Sequence, residues 1–149
     1  MLSLVTDRPR WIVCEDGAEY VERFVRFLGE EFDFVSAGCA ERLFALSTCG
    51  AEGVILDLDF RRTPAEQLVD ETGATRADLP GDARSRLSET QGILILRQLR
   101  AIGSALPVLL FADLDDEAQR DWLARTYAPV AIIPSHESLV TTAARMRRG

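Results

Sequence analysis

The feature that most constrains the fold is a repeated alternation of short apolar runs with segments of helical periodicity. Apolar runs bounded by turn residues are typical of strands buried on both faces, and intervening helices favour a parallel sheet. The pattern therefore predicts a doubly wound, flavodoxin-like α/β fold, with five parallel strands in the order 2-1-3-4-5 and five helices. The predicted strands are 11–14, 32–37, 53–58, 107–112 and 130–133.

One connection is much longer than the others. About thirty residues separate the third strand from its helix, where such loops usually need about two to six. The segment Thr63-Pro64-Ala65-Glu66 has the form of a capping box and predicts a short helix over 65–71. A second capping box, Ser88-Glu89-Thr90-Gln91, predicts the start of the third helix. We therefore predict a single domain, 1–149, that contains a binding or covering insertion, 60–89.

The composition of the chain limits which classes of partner and mechanism are possible. The chain has 149 residues, 47% of them hydrophobic, and a net charge of −7, so it can bury a core but should not bind nucleic acid. Apolar runs of about eighteen residues and a signal peptide are both missing, which predicts a cytoplasmic protein with no membrane span. All 17 basic residues are arginine, so mechanisms that need a lysine ammonium are excluded.

Acidic residues follow two neighbouring strands of the predicted sheet. Glu15 and Asp16 follow the first strand, and Asp57 lies at the end of the third. Ligands of open parallel sheets bind outside these carboxyl ends, so we expect the three carboxylates to converge. Such a cluster must protonate, spread apart or bind a cation, and an oxygen-only set suits Mg²⁺, the one candidate cofactor. Alternatively, Asp16 caps the following helix and Glu15 is solvated.

These residues, in this order, resemble the receiver domain of two-component response regulators over nearly the whole chain. The receiver's acidic pair is similar to Glu15-Asp16 in WIVCEDG, and its phosphoacceptor is similar to Asp57 in EGVILDLDF. FVSAGCAERLFAL resembles the second strand and helix, and GILILRQLRAIGSALPVLLFAD resembles the third helix and fourth strand. The resemblance implies the doubly wound fold, a signalling role and Asp57 as the candidate phosphoacceptor.

The chain departs from the receiver pattern where receivers stabilise and report a phosphoryl group. Ala112 stands where receivers carry Ser or Thr, Ala131 where they carry an aromatic residue, and Pro134 near the position of their lysine. A phosphoryl group adds about −1.5 to −2 charges, so the site would need another cation.

Three side chains are candidates for that cation. Arg61 and Arg62 follow the third strand, and His136 is expected in the first turn of the last helix, at the mouth of the acidic site. The plainer interpretations are a solvated loop for the two arginines and an exposed first-turn position for the histidine.

We therefore interpret the chain as a stand-alone, degenerate receiver (a pseudo-receiver) that acts through protein partners, without enzymatic activity and without the usual phosphorylation switch. Two alternatives stay open: a phosphorylatable regulator using Asp57 with Mg²⁺, and a haloacid-dehalogenase-like phosphatase using Asp57 and Asp59. The candidate partner surfaces are the insertion and the face of the fourth helix, fifth strand and fifth helix, which also suits a homodimer. On that face Trp122 and Tyr127 are the contact candidates, and a packing role is the alternative for Trp122.

Overall fold

The computed structural model describes residues 8–76 and 78–148. Five parallel strands form one sheet in the order β2-β1-β3-β4-β5, which confirms the predicted fold class and strand order. The strands are β1 (Arg10–Cys14), β2 (Asp33–Ala37), β3 (Gly53–Asp57), β4 (Val108–Phe111) and β5 (Val130–Ile133). The helices are α1 (Glu19–Leu28), α2 (Ala40–Leu46), α3 (Gly81–Glu89), α4 (Gln91–Ala101), α5 (Glu117–Thr126) and α6 (Leu139–Arg148). Within the described ranges, none of these helices is long and apolar enough to cross a bilayer.

The strands supply apolar side chains to a core on each face of the sheet. Ile12 of β1 packs in one core with α2 and α4, whereas its neighbours Trp11 and Val13 pack in the other with α1 and α6. This alternation follows from the period of two along a strand. Burial on both faces explains why the strands appear in the sequence as continuous apolar runs.

The insertion adds a helix that the sequence pattern did not predict. Helix α3 brings the number of α-helices in the described part of the chain to six rather than five. A helix does begin at the predicted place, Gln91, but neither capping box forms: no side chain caps α4 or the turn after Thr63, and Ser88 lies within α3, where its hydroxyl donates to the Ser85 carbonyl. The predicted helix 65–71 is only a 3₁₀ turn, Ala65–Gln67, because the chain becomes extended at Leu68.

The first part of the insertion is built into the core. Phe60, Leu68 and Val69 are buried in the cluster that α4 also enters. The buried Gln91 side chain holds the backbone of Val69 in both directions: its Oε1 accepts from the Val69 N–H (2.8 Å), and its Nε2 donates to the Val69 carbonyl (3.0 Å). These contacts attach Phe60, Leu68 and Val69 to the core and to α4.

We predict that Gly92→Ala destabilises the protein because α4 packs directly on the end of β3. A Cβ at Gly92 would lie 2.3 Å from the Asp57 carbonyl oxygen and 2.8 Å from the Leu58 Cα. Overpacking of this kind costs about 1–3 kcal/mol in the free energy of unfolding, measurable by urea denaturation. Gly81→Ala is the control, because a Cβ at Gly81 meets nothing within 4 Å. Equal stability of the two variants would contradict the close approach.

Candidate functional site

The carboxyl edge of the sheet carries most of the predicted site residues. Asp57 ends β3 and pairs in register with Phe111 of β4, which pairs with Ile133 of β5. Ala112 and Pro134 directly follow those two strands, so the positions where the chain departs from the receiver pattern lie along the same edge.

Glu15 is buried against the N-terminus of α1. Its side chain accepts hydrogen bonds from the backbone N–H groups of Tyr20 (3.0 Å) and Val21 (2.9 Å), in the first turn of α1. The residue is only 2% exposed, and burial raises the pKa of its carboxyl in spite of the two donors. The alternative of a solvated Glu15 is therefore wrong, and although the charge of Glu15 acts on Asp57, both of its oxygens are engaged by α1. Helix α1 instead uses Glu15 to satisfy its first N–H groups.

Asp16 is bound by Arg62 of the insertion. The Arg62 backbone N–H donates to Asp16 Oδ2 (2.9 Å), and its Nη2 donates to Asp16 Oδ1 (3.0 Å). The same Nη2 donates to Glu19 Oε2 (2.7 Å). The Asp16 side chain is 4% exposed and that of Arg62 is 57% exposed. The interpretation of Arg62 as part of a solvated loop is thus wrong, and Asp16 pairs with Arg62 rather than capping α1.

Arg61 makes a local pair with Asp59. Its backbone N–H donates to Asp59 Oδ1 (2.9 Å) and its Nε donates to Asp59 Oδ2 (3.0 Å). These donors hold the pKa of the Asp59 carboxyl below its ordinary value. Asp59 is therefore ionised at neutral pH, which makes it a poor general acid for a phosphatase mechanism.

Asp57 lies in a shallow depression of about 310 Å³, which it lines with Asp16, Asp59, Arg61 and Arg62. Its Oδ1 accepts from the N–H of Leu58 at 2.9 Å. Burial, reinforced by the charges of Asp16 and Glu15, raises the pKa of Asp57 to about 6. At pH 7 the carboxylate is mostly ionised, but its environment opposes further negative charge.

The edge around β4 and β5 offers no hydroxyl at Ala112 and no aromatic ring in β5. Ala112 is buried, and its N–H donates to the carbonyl of Ile133 (2.9 Å). Asp113 is bound by Ser135, whose N–H (2.9 Å) and hydroxyl (2.5 Å) both donate to its carboxylate. Ala131 pairs in register with Leu109 inside the sheet.

His136 lies outside the depression around Asp57. The exposed residue precedes α6, which begins only at Leu139, and it lines a separate depression of about 400 Å³ with Ala112 and Pro134. The expected position at the mouth of the acidic site is therefore not observed, and His136 does not contribute to the first turn of the helix.

The arrangement does not fit Mg²⁺ at the predicted ligands. Magnesium needs oxygen ligands free to meet an octahedral geometry. Both oxygens of Glu15 accept from helix N–H groups, and both oxygens of Asp16 accept from Arg62. Across residues 8–76 and 78–148, no group of three His, Cys, Asp or Glu side chains is placed to hold a metal.

Trp122 and Tyr127 form an edge-to-face pair at the end of α5. Their ring centroids are 5.7 Å apart and their planes are nearly perpendicular, at 89°. Trp122 remains 50% exposed, so the ring is a surface group held in one orientation rather than a core residue.

Two residues of this region were not anticipated from the sequence. For Gln91 the sequence signal was its place directly before the apolar run GILIL. Its burial is seen only in the structure. Glu19, the second partner of Arg62, had none, since the contact joins residues 43 positions apart.

We predict that Asp57→Asn stabilises the protein near neutral pH and not in acid. Because the pKa of Asp57 rises from 3.8 to about 6 on folding, the folded state binds more protons between these values, and stability falls as pH rises through them. Discounted for partial exposure, the variant should gain about 1–2 kcal/mol at about pH 7.5 and nothing near pH 4, by urea denaturation. Asp59→Asn, which removes a carboxyl of lowered pKa, should show no such gain. Parallel pH profiles for native protein and Asp57→Asn would contradict the raised pKa.

We predict that Arg62→Gln increases affinity for Mg²⁺ about tenfold, because it removes the guanidinium from Asp16 Oδ1 beside Asp57 and leaves Asp16 only the backbone N–H bond to Oδ2. Magnesium titrations followed by amide chemical shifts measure the effect. Arg61→Gln is the matched control, since it removes the same charge, but the Arg61 side chain pairs with Asp59 rather than with Asp16. Equal Mg²⁺ affinity of the two variants would show that the guanidinium does not occupy the cation's place.

Comparison with known proteins identifies the fold. No family model and no curated protein matches the sequence. Among solved structures, the receiver domain of the Francisella response regulator 1452 has a TM-score of 0.66 at 15% identity over 95% of both chains. The BeF3-activated receiver domain of Klebsiella pneumoniae RstA has a TM-score of 0.61 at 19% identity over 93% of this chain and 96% of its own. A chain of the CheX-CheY-BeF3-Mg complex from Borrelia burgdorferi has a TM-score of 0.62 at 13% identity, with coverages of 94% and 87%. At these identities the likeness establishes the fold alone: the chain has the fold of response-regulator receiver domains.

Proposed function

We propose that the protein is a receiver-like signalling domain that acts through protein contacts and does not use phosphorylation of Asp57 as its switch. The receiver fold supports the signalling role. The observation that carries the proposal is the edge beside Asp57, where Ala112 offers no hydroxyl, Pro134 follows β5, and the sequence holds no lysine. We propose no catalytic role for this edge.

Charge balance supports the same conclusion. A phosphoryl group on Asp57 would add about −1.5 to −2 charges beside Asp16 and Asp59. The two nearest cations are engaged: Arg61 pairs with Asp59, and Arg62 pairs with Asp16 and Glu19. Stabilising the phosphoryl group would require one of these pairs to break.

The insertion is the first candidate surface for a partner. It is attached to the core through Gln91 and to α1 through Arg62, so its exposed side chains have a defined position. A depression of about 420 Å³ between the insertion and α4 is lined by both charges, including Glu71, Arg76 and Arg86. This composition suits a polar protein surface rather than an apolar small ligand.

The second candidate surface is the face of α5, β5 and α6, which are the fourth helix, fifth strand and fifth helix of the sequence prediction. The exposed Trp122 ring, oriented by Tyr127, is the kind of rigid aromatic group that dominates binding energy at protein interfaces. The name of the Borrelia burgdorferi complex places a CheY protein with a protein partner, CheX. We propose that this chain likewise binds a protein, and a homodimer through the same face is the second arrangement.

The alternative is a phosphorylatable receiver, and one observation favours it. Asp57 keeps the place of a phosphoacceptor at the end of β3 and lines an open depression. Such a receiver would have to release Arg62 from Asp16 to admit Mg²⁺ and to neutralise the phosphoryl group.

Titration with beryllofluoride and Mg²⁺, followed by amide chemical shifts, tests the proposal. We expect no saturable response along α5 and β5 that depends on Asp57. The BeF3-activated receiver domain of Klebsiella pneumoniae RstA serves as a positive control for the reagent. A saturable response that is lost in Asp57→Asn would refute the switchless function and establish the phosphorylatable alternative. Turnover of a phosphate ester that is lost in the same variant would instead support the phosphatase.

A further inference from the structure

Strand β2 lies at one edge of the sheet and leaves backbone groups open on its outer side. The Asp33 N–H donates to the residue before β1 (2.9 Å), and the Ala37 carbonyl accepts from the residue after it (3.1 Å). Because strand residues alternate in direction, Val35 also faces β1, whereas Phe34 and Ser36 direct their N–H and C=O groups away from it. Within residues 8–76 and 78–148, nothing bonds to these outward groups.

Strand β2 lacks the features with which proteins usually protect a sheet edge. Proline, lysine and other charged residues along an edge strand discourage pairing with another chain. At the opposite edge, β5 lies between Pro129 and Pro134. The segment 32–38 (FDFVSAG) contains no proline, and its single charged residue, Asp33, pairs with Arg8 (2.8 Å). The chemistry that matches such an edge is the backbone of another extended strand.

The outward groups of β2 are complementary to those of a second copy of β2. In an antiparallel pair, two residues of a hydrogen-bonded site exchange both of their N–H···O bonds. A two-fold axis beside Val35 sets Phe34 opposite Ser36 of the second copy, and Ser36 opposite its Phe34. All the outward groups are then satisfied. Phe34 and Ser36 lie on the same face of the sheet, so each phenyl ring meets a small side chain.

Helix α1 presents apolar surface beside this edge. It covers β2, where Phe24 stacks on Phe34 with ring centroids 5.8 Å apart. Val25 of α1 is 51% exposed and lines a depression of about 620 Å³ together with Phe32 and Phe34. Pairing of β2 with a second copy brings the two α1 helices together, antiparallel to each other, over the joined strands.

The charges of α1 are complementary to those of an antiparallel copy. Glu22 is exposed in the first turn of the helix, and Arg26 is exposed in the last turn. Two antiparallel helices bring the acidic turn of each toward the basic turn of the other, whereas parallel helices would oppose like charges. The protein has a net charge of −7, so local complementarity is what permits two copies to approach.

We propose that the protein self-associates through β2, which pairs antiparallel with β2 of a second copy and joins the two sheets into one. Phe34 and Ser36 supply the backbone hydrogen bonds, Val25 covers the depression, and Glu22 and Arg26 set the direction of pairing. This edge is separate from the face of α5, β5 and α6, which stays open to a protein partner. The pairing does not require phosphorylation of Asp57.

Sedimentation velocity over a concentration series measures the association. The interface is at the small end of specific interfaces, so we expect a Kd of the order of 10–100 μM, resolved between about 5 and 500 μM protein. Amide hydrogen exchange gives the location: the N–H groups of Phe34 and Ser36 should exchange more slowly as the dimer fraction rises. A protein that stays monomeric at the highest concentration, or a dimer without slower exchange at these two residues, would overturn the proposal.

Substitutions at Ser36 separate this edge from other surfaces. Ser36→Pro removes an N–H that its own sheet does not use, and Ser36→Lys places a charge on the edge. Each should weaken association at least about tenfold while the urea midpoint shows a folded protein. Ser85→Lys, which adds the same charge at an exposed position of α3, is the matched control and should leave association unchanged. Association lost in Trp122→Ala but kept in both Ser36 variants would locate the dimer on the α5 face and overturn the proposal.

Exchange of the α1 charges tests the direction of pairing. Glu22→Arg and Arg26→Glu should each weaken association about threefold, because each opposes like charges across the two-fold axis. The double variant restores unlike pairs and should return the affinity to that of the native protein. A double variant that associates more weakly than either single variant would contradict the antiparallel arrangement.

Discussion

The contact between Arg62 and Asp16 determines what the carboxyl edge of this sheet can do. It joins the insertion to the turn between β1 and α1, and it places a guanidinium against Asp16, whose side chain is only 4% exposed. A carboxylate in that position needs a positive partner, because burying an unpaired charge is costly. Here the chain supplies the partner itself. The same contact holds the insertion in place and leaves Asp16 unavailable to a metal ion.

The rest of the edge is consistent with this internal pairing. Glu15 satisfies the N-terminus of α1, Arg61 pairs with Asp59, and Ser135 binds Asp113. Each carboxylate at the edge other than that of Asp57 accepts hydrogen bonds from a side chain or from another segment's backbone. Among residues 8–76 and 78–148, the one donor to the Asp57 carboxylate is the N–H of its neighbour Leu58, and the pKa of Asp57 is raised. The chain has the receiver fold, while the side chains around Asp57 bind one another.

The fold was predictable from the sequence because it depends on periodicity, but the site depended on contacts that periodicity does not encode. Apolar runs such as VIL, just before Asp57, indicated where the strands lie. Their alternation with helical segments indicated the strand order. Helix α3 was not predicted, because its sequence, GDARSRLSE, has few apolar residues that would indicate a buried face. The partner of Asp16 could not be inferred, because Arg62 lies 46 residues away and its side chain could equally have been solvated. Whether Glu15 faced the cleft or the helix was likewise a choice between two local hydrogen-bonding patterns.

The most direct test is to incubate the protein with acetyl phosphate and Mg²⁺ and to compare intact mass with amide hydrogen exchange along α5 and β5. We predict that exchange in these elements is the same with and without the phosphodonor, and that Asp57→Asn behaves as the native protein does. Addition of one phosphoryl group at Asp57, accompanied by altered exchange in α5 or β5, would contradict it.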